Sequence, residues 1–311
     1  MKSFCYFICA LLISFKAFSQ EIFVATYGNP KHEPVLFLHG GPGYNSVLFE
    51  KSTAQKIADK GFFVIVYDRR GEGRSMKMNA KFTFTQTFDD INTILDSLKI
   101  TKTSIIGHSF GGIIAILYAS KFSEKMNSIA LVGVPVSLQQ TFNHIIKSSK
   151  TIYESKKDLT NLNYISMLEE MDKTSIQFSS YCFAHAMYNG FYIPKKPTKE
   201  AVNIYAELRK DPNTMEFLSK MTTQAPKGFL ENENYTTINL TDKIKNLRIK
   251  KLKIYCFYGK DDGLFSEEQI SDLSSIIGHE NMYNYKDCSH NVFIDQQEIF
   301  INDFIETTIQ K

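Results

Sequence analysis

A serine between two glycines is the feature of this 311-residue sequence with the clearest chemical meaning. The segment Gly107-His108-Ser109-Phe110-Gly111 follows an apolar stretch and precedes a stretch of helical character. In that context a sharp turn from strand to helix exposes the serine hydroxyl, and Gly107 and Gly111 leave room for the turn. We therefore predict that Ser109 is a nucleophile, although the five-residue pattern alone also occurs by coincidence.

A serine hydroxyl needs a base to take its proton and an acid to orient that base. Two later loops supply candidates, because Asp261 and Asp262 follow one apolar strand and His290 follows the next. If these strands are parallel, all the loops lie at the same edge of one sheet as Ser109. The order serine, aspartate, histidine along the chain is typical of such a sheet. We predict that His290 is the base, while the residues alone do not rank the two aspartates.

A glycine-rich segment upstream could stabilise the negative oxygen that forms when a serine attacks a carbonyl. The first core strand is followed by His39-Gly40-Gly41-Pro42-Gly43, where glycines allow the backbone close to a reacting group. We predict that the backbone N–H groups of Gly41 and Phe110 form this oxyanion hole. A phosphate-binding loop is the alternative, but the glycine spacing matches neither common phosphate motif and no Lys-Ser/Thr pair follows.

Apolar runs that alternate with amphipathic stretches predict the elements that carry these loops. The runs are short and rich in Val, Ile, Leu and Phe, which is typical of strands buried on both faces of a mostly parallel sheet. The predicted strands are Val35–Leu38, Phe62–Tyr67, Ser104–Ile106, Ser128–Val134, Leu252–Tyr258 and Met282–Tyr285. The predicted helices are Val47–Lys60, Phe88–Leu98, Phe110–Lys121, Glu267–Ile276 and Glu298–Thr308. The sequence thus predicts an α/β fold with helices on both faces of the sheet.

The middle of the chain differs in character. Residues 135–249 are rich in Lys, Asn and Tyr and show helical stretches without convincing buried strands. We interpret this part as a helical insertion that caps the sheet edge where open α/β folds bind ligands. The predicted organisation is then a core of residues 20–134 and 250–311 with a cap of residues 135–249. A solvated surface decoration is the alternative interpretation.

The composition is that of an ordinary globular protein. Hydrophobic residues make up 43% and charged residues 22% of the chain. The formal net charge of +3 comes from 36 basic and 33 acidic residues that are scattered along the chain, so no nucleic-acid partner is expected.

The first nineteen residues have the layout of a secretory signal peptide. A lysine at position 2 precedes an apolar run from Phe4 to Phe15, and Ala17 and Ser19 fit the cleavage site before Gln20. We therefore predict export to the periplasm or medium, and no integral membrane span in the mature chain. Of the five cysteines, Cys182, Cys256 and Cys288 follow this segment, and a bridge between the last two is left open.

Taken together, these motifs resemble the proline iminopeptidase group of the α/β-hydrolase superfamily. The resemblance rests on His39-Gly-Gly-Pro-Gly43, Asp68-Arg-Arg-Gly-Glu-Gly-Arg-Ser75, the serine elbow and the late aspartate and histidine. It implies the α/β-hydrolase fold, and family habit places the acid three residues after the strand-end glycine, which favours Asp262 over Asp261. The family usually carries Gly-Gly-Ser-Trp-Gly at the elbow, whereas Gly-His-Ser-Phe-Gly is common in general esterases and lipases.

The resemblance implies an aminopeptidase that hydrolyses short peptides through an acyl-enzyme, with the catalytic residues Ser109, Asp262 and His290. A carboxylesterase acting on small acyl esters is the alternative, and a ligand-binding protein without turnover is the alternative of another class. We expect a small-molecule or short-peptide substrate, no metal and no cofactor; the oligomeric state is not predicted. In the family, cap glutamates bind the substrate amine, and the insertion offers Glu169, Glu170, Glu200, Glu207, Glu231 and Glu233. We expect the Asp68–Ser75 segment to be structural, with charged groups that tie the loop below the pocket.

Overall fold

A computed structural model describes residues 21–309. The predicted signal peptide lies outside the described residues. Within them, no helix has both the length and the apolar character needed to cross a membrane.

The centre of the structure is a seven-stranded sheet in the order β1-β3-β2-β4-β5-β6-β7. Strand β1 pairs antiparallel with β3, and all other neighbours are parallel. The strands are β1 Val24–Tyr27, β2 Glu33–Leu38, β3 Phe62–Tyr67, β4 Thr103–His108, β5 Met126–Val132, β6 Lys253–Gly259 and β7 Met282–Tyr285. The mostly parallel sheet confirms the predicted fold class, and the carboxyl ends of β2 to β7 meet at one edge.

The six predicted strands are all present, with bounds that differ by two residues or fewer. Strand β4 extends through Gly107 and His108, so the sheet leads directly into the turn at Ser109. The sequence interpretation missed β1, which has only four residues of alternating exposed and half-buried character at the sheet edge. Such a short edge strand lacks the continuous apolar run that marks a strand buried on both faces.

Helices flank the sheet and fill the connections between strands. They are α1 Val47–Phe49, α2 Gln55–Ala58, α3 Phe84–Ser97, α4 Phe110–Lys121, α5 Leu138–Lys156, α6 Leu159–Glu169, α7 Ile176–Tyr188, α8 Lys199–Lys210, α9 Pro212–Ser219, α10 Gln224–Glu233, α11 Thr241–Ile249, α12 Glu267–Ile277, α13 Val292–Asp295 and α14 Gln297–Ile309. A π-helical turn, Glu50–Ala54, joins α1 to α2. Helix α3 begins four residues before its predicted start, because the Thr83 side chain accepts a hydrogen bond from the Gln86 N–H and caps it.

The two faces of the sheet form two apolar layers, as expected for strands covered on both sides. In β3, Ile65 packs in the layer that contains α3 and α4, whereas its neighbours Val64 and Val66 pack in the opposite layer. That opposite layer includes Phe49, whose ring stacks on Phe37 of β2 with 3.8 Å between the centroids. Packing from both sides fixes the strand ends, and with them the loops that carry the candidate chemistry.

The chain between β5 and β6 is helical, from α5 to α11. Helices α5, α6 and α7 pack on one another, while α8 and α9 pack against α13 and α1. Helix α11, which the sequence interpretation assigned to the cap, packs against α4 and α12. These contacts place α11 in the helical layer that covers the sheet. The chain has therefore returned to the core before β6 begins.

Candidate active site

The elbow at Ser109 is a sharp turn with a strained backbone. Ser109 has φ 52° and ψ −122°, a region that side-chain-bearing residues rarely occupy and that costs on the order of 1–3 kcal/mol. Its N–H donates to the Val132 carbonyl at 2.9 Å, which fixes the turn to β5. A Cβ on Gly111 would overlap the Leu38 carbonyl, and one on Gly107 would lie 2.6 Å from the Gly112 Cα. Both elbow glycines are therefore required by the space around the turn.

The histidine and one aspartate form a buried pair. His290 Nδ1 lies 2.8 Å from Asp262 Oδ2, and both side chains are buried. Because an ionised carboxylate can only accept, Nδ1 is the donor in this pair and Nε2 is the ring nitrogen left to face a substrate. The second Asp262 oxygen accepts the Leu264 N–H at 3.1 Å. Asp261 instead accepts the Lys195 N–H at 3.0 Å, so geometry selects Asp262 as the partner of His290.

These residues converge on one cavity at the carboxyl edge of the sheet. Ser109, His290, Gly41 and Phe110 all line a space of about 560 Å³, which is within the usual size of small-molecule sites. Phe110 is the first residue of α4, so its N–H has no intrahelical acceptor and is available at the cavity. Gly41 has φ 113°, a conformation that favours glycine. The sequence-predicted site residues thus lie together.

Two buried side chains hold the glycine-rich loop in place. The Arg69 guanidinium donates to the carbonyls of His39 and Gly40 at 2.5 and 2.6 Å. It also donates to both Glu72 oxygens at 2.8 and 2.9 Å, and Glu72 in turn accepts the Gly43 N–H at 2.6 Å. Burial and the Arg69 charge hold the pKa of His39 well below its usual value. Nε2 of its neutral ring therefore accepts a hydrogen bond from the backbone N–H of Arg69. These bonds confirm that the Asp68–Ser75 segment ties the loop.

A second charged cluster holds the other end of the same segment. Arg74 donates to Asp68 at 2.7 Å and to Glu50 at 2.6 Å. Burial of Asp68 opposes its ionisation, but hydrogen bonds and charge from Arg74 outweigh it and lower its pKa to about 2. Asp68 also accepts the N–H and the hydroxyl of Ser46 at 2.8 and 2.7 Å, which anchors the start of α1.

His108, directly before the nucleophile candidate, has a role that sequence reasoning missed. Its Nε2 lies 3.1 Å from the His290 carbonyl oxygen, and the two imidazole centroids are 4.9 Å apart. Burial, together with the nearby His290, holds the pKa of His108 well below its usual value. The neutral ring therefore donates to the carbonyl and fixes the backbone of His290. The only sequence signal for this contact was the departure from the Gly-Gly-Ser-Trp-Gly elbow.

A segment of the insertion bonds to the loops that carry the aspartate and the histidine. The Phe191 carbonyl accepts the Gly263 N–H at 3.0 Å and the Ser289 hydroxyl at 2.9 Å. The next residue, Tyr192, packs its ring perpendicular to His290 with the centroids 5.1 Å apart. Tyr192 is thus part of the cavity wall, and the Phe191 carbonyl ties this segment to both loops.

The side of the cavity formed by the helical insertion is mostly apolar. Helices α5 and α7 contribute residues such as Leu138, Ile176 and Phe183. Among the described residues that line the cavity there is no aspartate, glutamate, lysine or arginine.

The glutamates that the resemblance offered as amine ligands make other contacts. Glu169 pairs with Lys150 at 3.0 Å, Glu207 with Lys210 at 2.5 Å and Glu231 with Lys227 at 3.8 Å. Glu233 accepts the Phe84 N–H at 2.7 Å and Glu200 lies near Lys56. Neither these five nor Glu170 lines the cavity.

The three cysteines of the described chain, Cys182, Cys256 and Cys288, are free and buried, so the bridge left open by the sequence is not formed. Within residues 21–309 no cluster of His, Cys, Asp and Glu side chains has the arrangement of a metal site.

The strained serine elbow and the aspartate–histidine pair lie together at one edge of a sheet of this topology. This combination is typical of the α/β-hydrolase class. The family model for the alpha/beta hydrolase fold matches residues 33–297, and the chain belongs to that family. Its motifs are similar to those of proline iminopeptidases.

Known proteins match the chain in part or at low identity. A proline iminopeptidase of Xylella fastidiosa (strain Temecula1 / ATCC 700964) is 34% identical over 119 residues, which are 37% of this chain and 37% of that relative. The matched region thus spans little more than a third of that relative's length. A proline iminopeptidase-related protein from Thermus thermophilus has a TM-score of 0.64 at 19% identity and covers 92% of both chains. An esterase from Exiguobacterium antarcticum has a TM-score of 0.59 at 18% identity, over 92% of this chain and 95% of that one. At these identities the structural likeness shows the fold.

Proposed function

We propose that this protein is a serine hydrolase that cleaves esters of apolar acyl groups through an acyl-enzyme. The observation that carries the choice of substrate is the cavity wall, because no described residue that lines it has a carboxylate. A free amine carries a positive charge at neutral pH, and burying it without a counter-charge is costly. An uncharged ester has no such requirement.

In the proposed mechanism Ser109 Oγ attacks the ester carbonyl and His290 Nε2 accepts its proton. Asp262 holds the imidazole in the required tautomer through the 2.8 Å bond to Nδ1. The N–H groups of Phe110 and Gly41 stabilise the oxyanion, each contributing on the order of 3–4 kcal/mol. His290 then returns the proton to the leaving alcohol, and the same base activates water to release the acid.

A second candidate is an aminopeptidase for short peptides, which the motif His39-Gly-Gly-Pro-Gly43 and the name of the Xylella fastidiosa relative favour. Kinetics with proline p-nitroanilide and with p-nitrophenyl butyrate separate the two substrate classes. We expect kcat/KM for the ester to exceed that for the arylamide by about a hundredfold or more, since a buried unpaired charge costs several kcal/mol. Faster turnover of the arylamide would instead select the aminopeptidase.

The proposed nucleophile has its own test. A fluorophosphonate probe should label the wild type and the variant Ser180→Ala but not Ser109→Ala. Ser180 is the matched control, because it lines the same cavity without belonging to the elbow. We expect Ser109→Ala to lower kcat by at least about 10⁴-fold. Failure of the wild type to label would support a ligand-binding protein without turnover, and labelling of Ser109→Ala would place the nucleophile elsewhere.

A further inference from the structure

Thr141 is a buried polar residue in the apolar wall of the cavity. It lies in the first turn of α5, is 1% exposed and lines the same cavity as Ser109. Its N–H donates to the Ser137 carbonyl at 3.1 Å, as the helix requires. Its hydroxyl Oγ1, however, has no hydrogen-bond partner among the described residues. Threonine hydroxyls in helices often bond back to a carbonyl four residues earlier, so this unpaired state is unusual.

The location separates Thr141 from the other unpaired groups. Five side-chain atoms within residues 21–309 are buried without a partner, and of these only the Thr141 hydroxyl belongs to a residue that lines the cavity. A buried hydroxyl without a partner destabilises the folded protein, so one that faces a cavity can gain stability from a molecule that binds there.

The surroundings of Thr141 limit what such a partner can be. Across the cavity wall, α7 packs against α5 and contributes Ile176 and Phe183. Ser179, on the same helix, already donates its hydroxyl to the Ile176 carbonyl at 3.0 Å. No charged side chain among the described residues lines the cavity, so a neutral group fits best there. A threonine hydroxyl can donate to such a group or accept from it.

We infer that Thr141 is a specificity-determining residue that bonds a neutral oxygen carried on the acyl part of the substrate, such as a ketone or ether oxygen. This inference rests on the proposed function and narrows its substrate class from plain alkyl esters to acyl chains with one internal oxygen. Thr141 lies on α5, the first helix after β5, and lines the same cavity as Ser109.

Binding to the Ser109→Ala variant tests the inference without turnover. The probes are matched pairs that differ only by the ketone: p-nitrophenyl pentanoate against its 4-oxo ester, and p-nitrophenyl hexanoate against its 5-oxo ester. For at least one pair we expect the Kd of the oxo ester to be lower by about 2- to 10-fold, the effect of one hydrogen bond. Adding Thr141→Val, which keeps the shape but removes the hydroxyl, should bring the ratio to about one. Adding Thr141→Ser should preserve it, and thermal melting verifies that each variant folds.

The outcomes distinguish this inference from the proposed function. If alkyl esters bind and no pair shows a preference, or if the preference survives in Thr141→Val, the role of Thr141 is wrong while ester hydrolysis stands. If no ester binds and the wild type hydrolyses none, both the ester hydrolase function and the role of Thr141 are wrong.

Discussion

Replacing Arg69 by methionine tests whether the buried charged pair controls the proposed oxyanion hole. The substitution keeps a long apolar stem but removes four hydrogen bonds, two to the carbonyls of His39 and Gly40 and two to Glu72. Both charged side chains are 2% exposed or less, so Glu72 is left as an uncompensated buried charge. Breaking a buried pair in this way costs about 3–5 kcal/mol of the free energy of unfolding.

The effect on catalysis has a separate cause. Without the two carbonyl contacts the loop that presents the Gly41 N–H loses its anchor, and losing one oxyanion donor lowers kcat by about 10²- to 10³-fold. The double variant Arg69→Met/Glu72→Gln leaves no buried charge behind. It should recover at least about 2 kcal/mol of stability, since Gln can still accept the Gly43 N–H, but it should not recover kcat.

The assays are urea denaturation and hydrolysis of p-nitrophenyl butyrate. Arg70→Ala is the matched control, because this neighbouring arginine pairs with Asp90 at 2.6 Å and makes no contact with the glycine-rich loop that the structure records. We expect it to leave kcat unchanged, although it too lowers stability because it removes the partner of the buried Asp90. A kcat for Arg69→Met within about threefold of the wild type would refute the reasoning, because loss of an oxyanion donor costs far more.

Three further predictions concern the acid, a buried carboxyl and the amino terminus. Asp262→Asn should lower kcat by about 10⁴-fold, because asparagine no longer fixes the His290 tautomer. Asp261→Asn should lower kcat by about tenfold or less. Equal losses of kcat in ester hydrolysis would contradict the assignment of Asp262 as the acid. Burial raises the pKa of Asp295 to about 6, so the native state keeps a proton that the unfolded chain releases, and stability falls between about pH 4 and 6. Urea denaturation at several pH values should show that Asp295→Asn removes this fall in the free energy of unfolding, which is on the order of 2–3 kcal/mol. Parallel curves of unfolding free energy against pH for the wild type and the variant would count against this prediction. Mass spectrometry of the exported protein should find Gln20 at the mature amino terminus, and an intact leader would show that cleavage does not occur there.

The sequence predicted the parallel strands well because their signal is local. β3 and β7 have the predicted bounds, and β3 is a continuous run of buried residues. By contrast β1 depends on pairing with β3 at the sheet edge, and its four alternating residues carry little signal of their own. The early start of α3 likewise depends on a side-chain cap at Thr83, which hydrophobic spacing does not report.

Within the candidate site, residue types and their order predicted which loops meet, but not which contacts form. Asp261 and Asp262 are adjacent in sequence, and only the structure shows that one faces His290 while the other accepts the Lys195 N–H. Glu207 and Glu231 pair with lysines three or four residues away, as helical spacing allows, whereas the bond of Glu233 to the Phe84 N–H joins distant parts of the chain. The bond from His108 to the His290 carbonyl spans 182 residues and follows from the packing of two loops.

The bonds of the Phe191 carbonyl limit how substrates can enter. Swinging the insertion away as one rigid body would pull this oxygen off Gly263 and Ser289, and would lift Tyr192 from His290. Full opening would therefore break contacts to the loops that carry Asp262 and His290. We expect substrate exchange to use the part of the cavity rim where Met187 and Met221 are 63% and 67% exposed, because entry there leaves these contacts in place. The part of the insertion that borders the exposed rim is thus distinct from the segment that contacts His290.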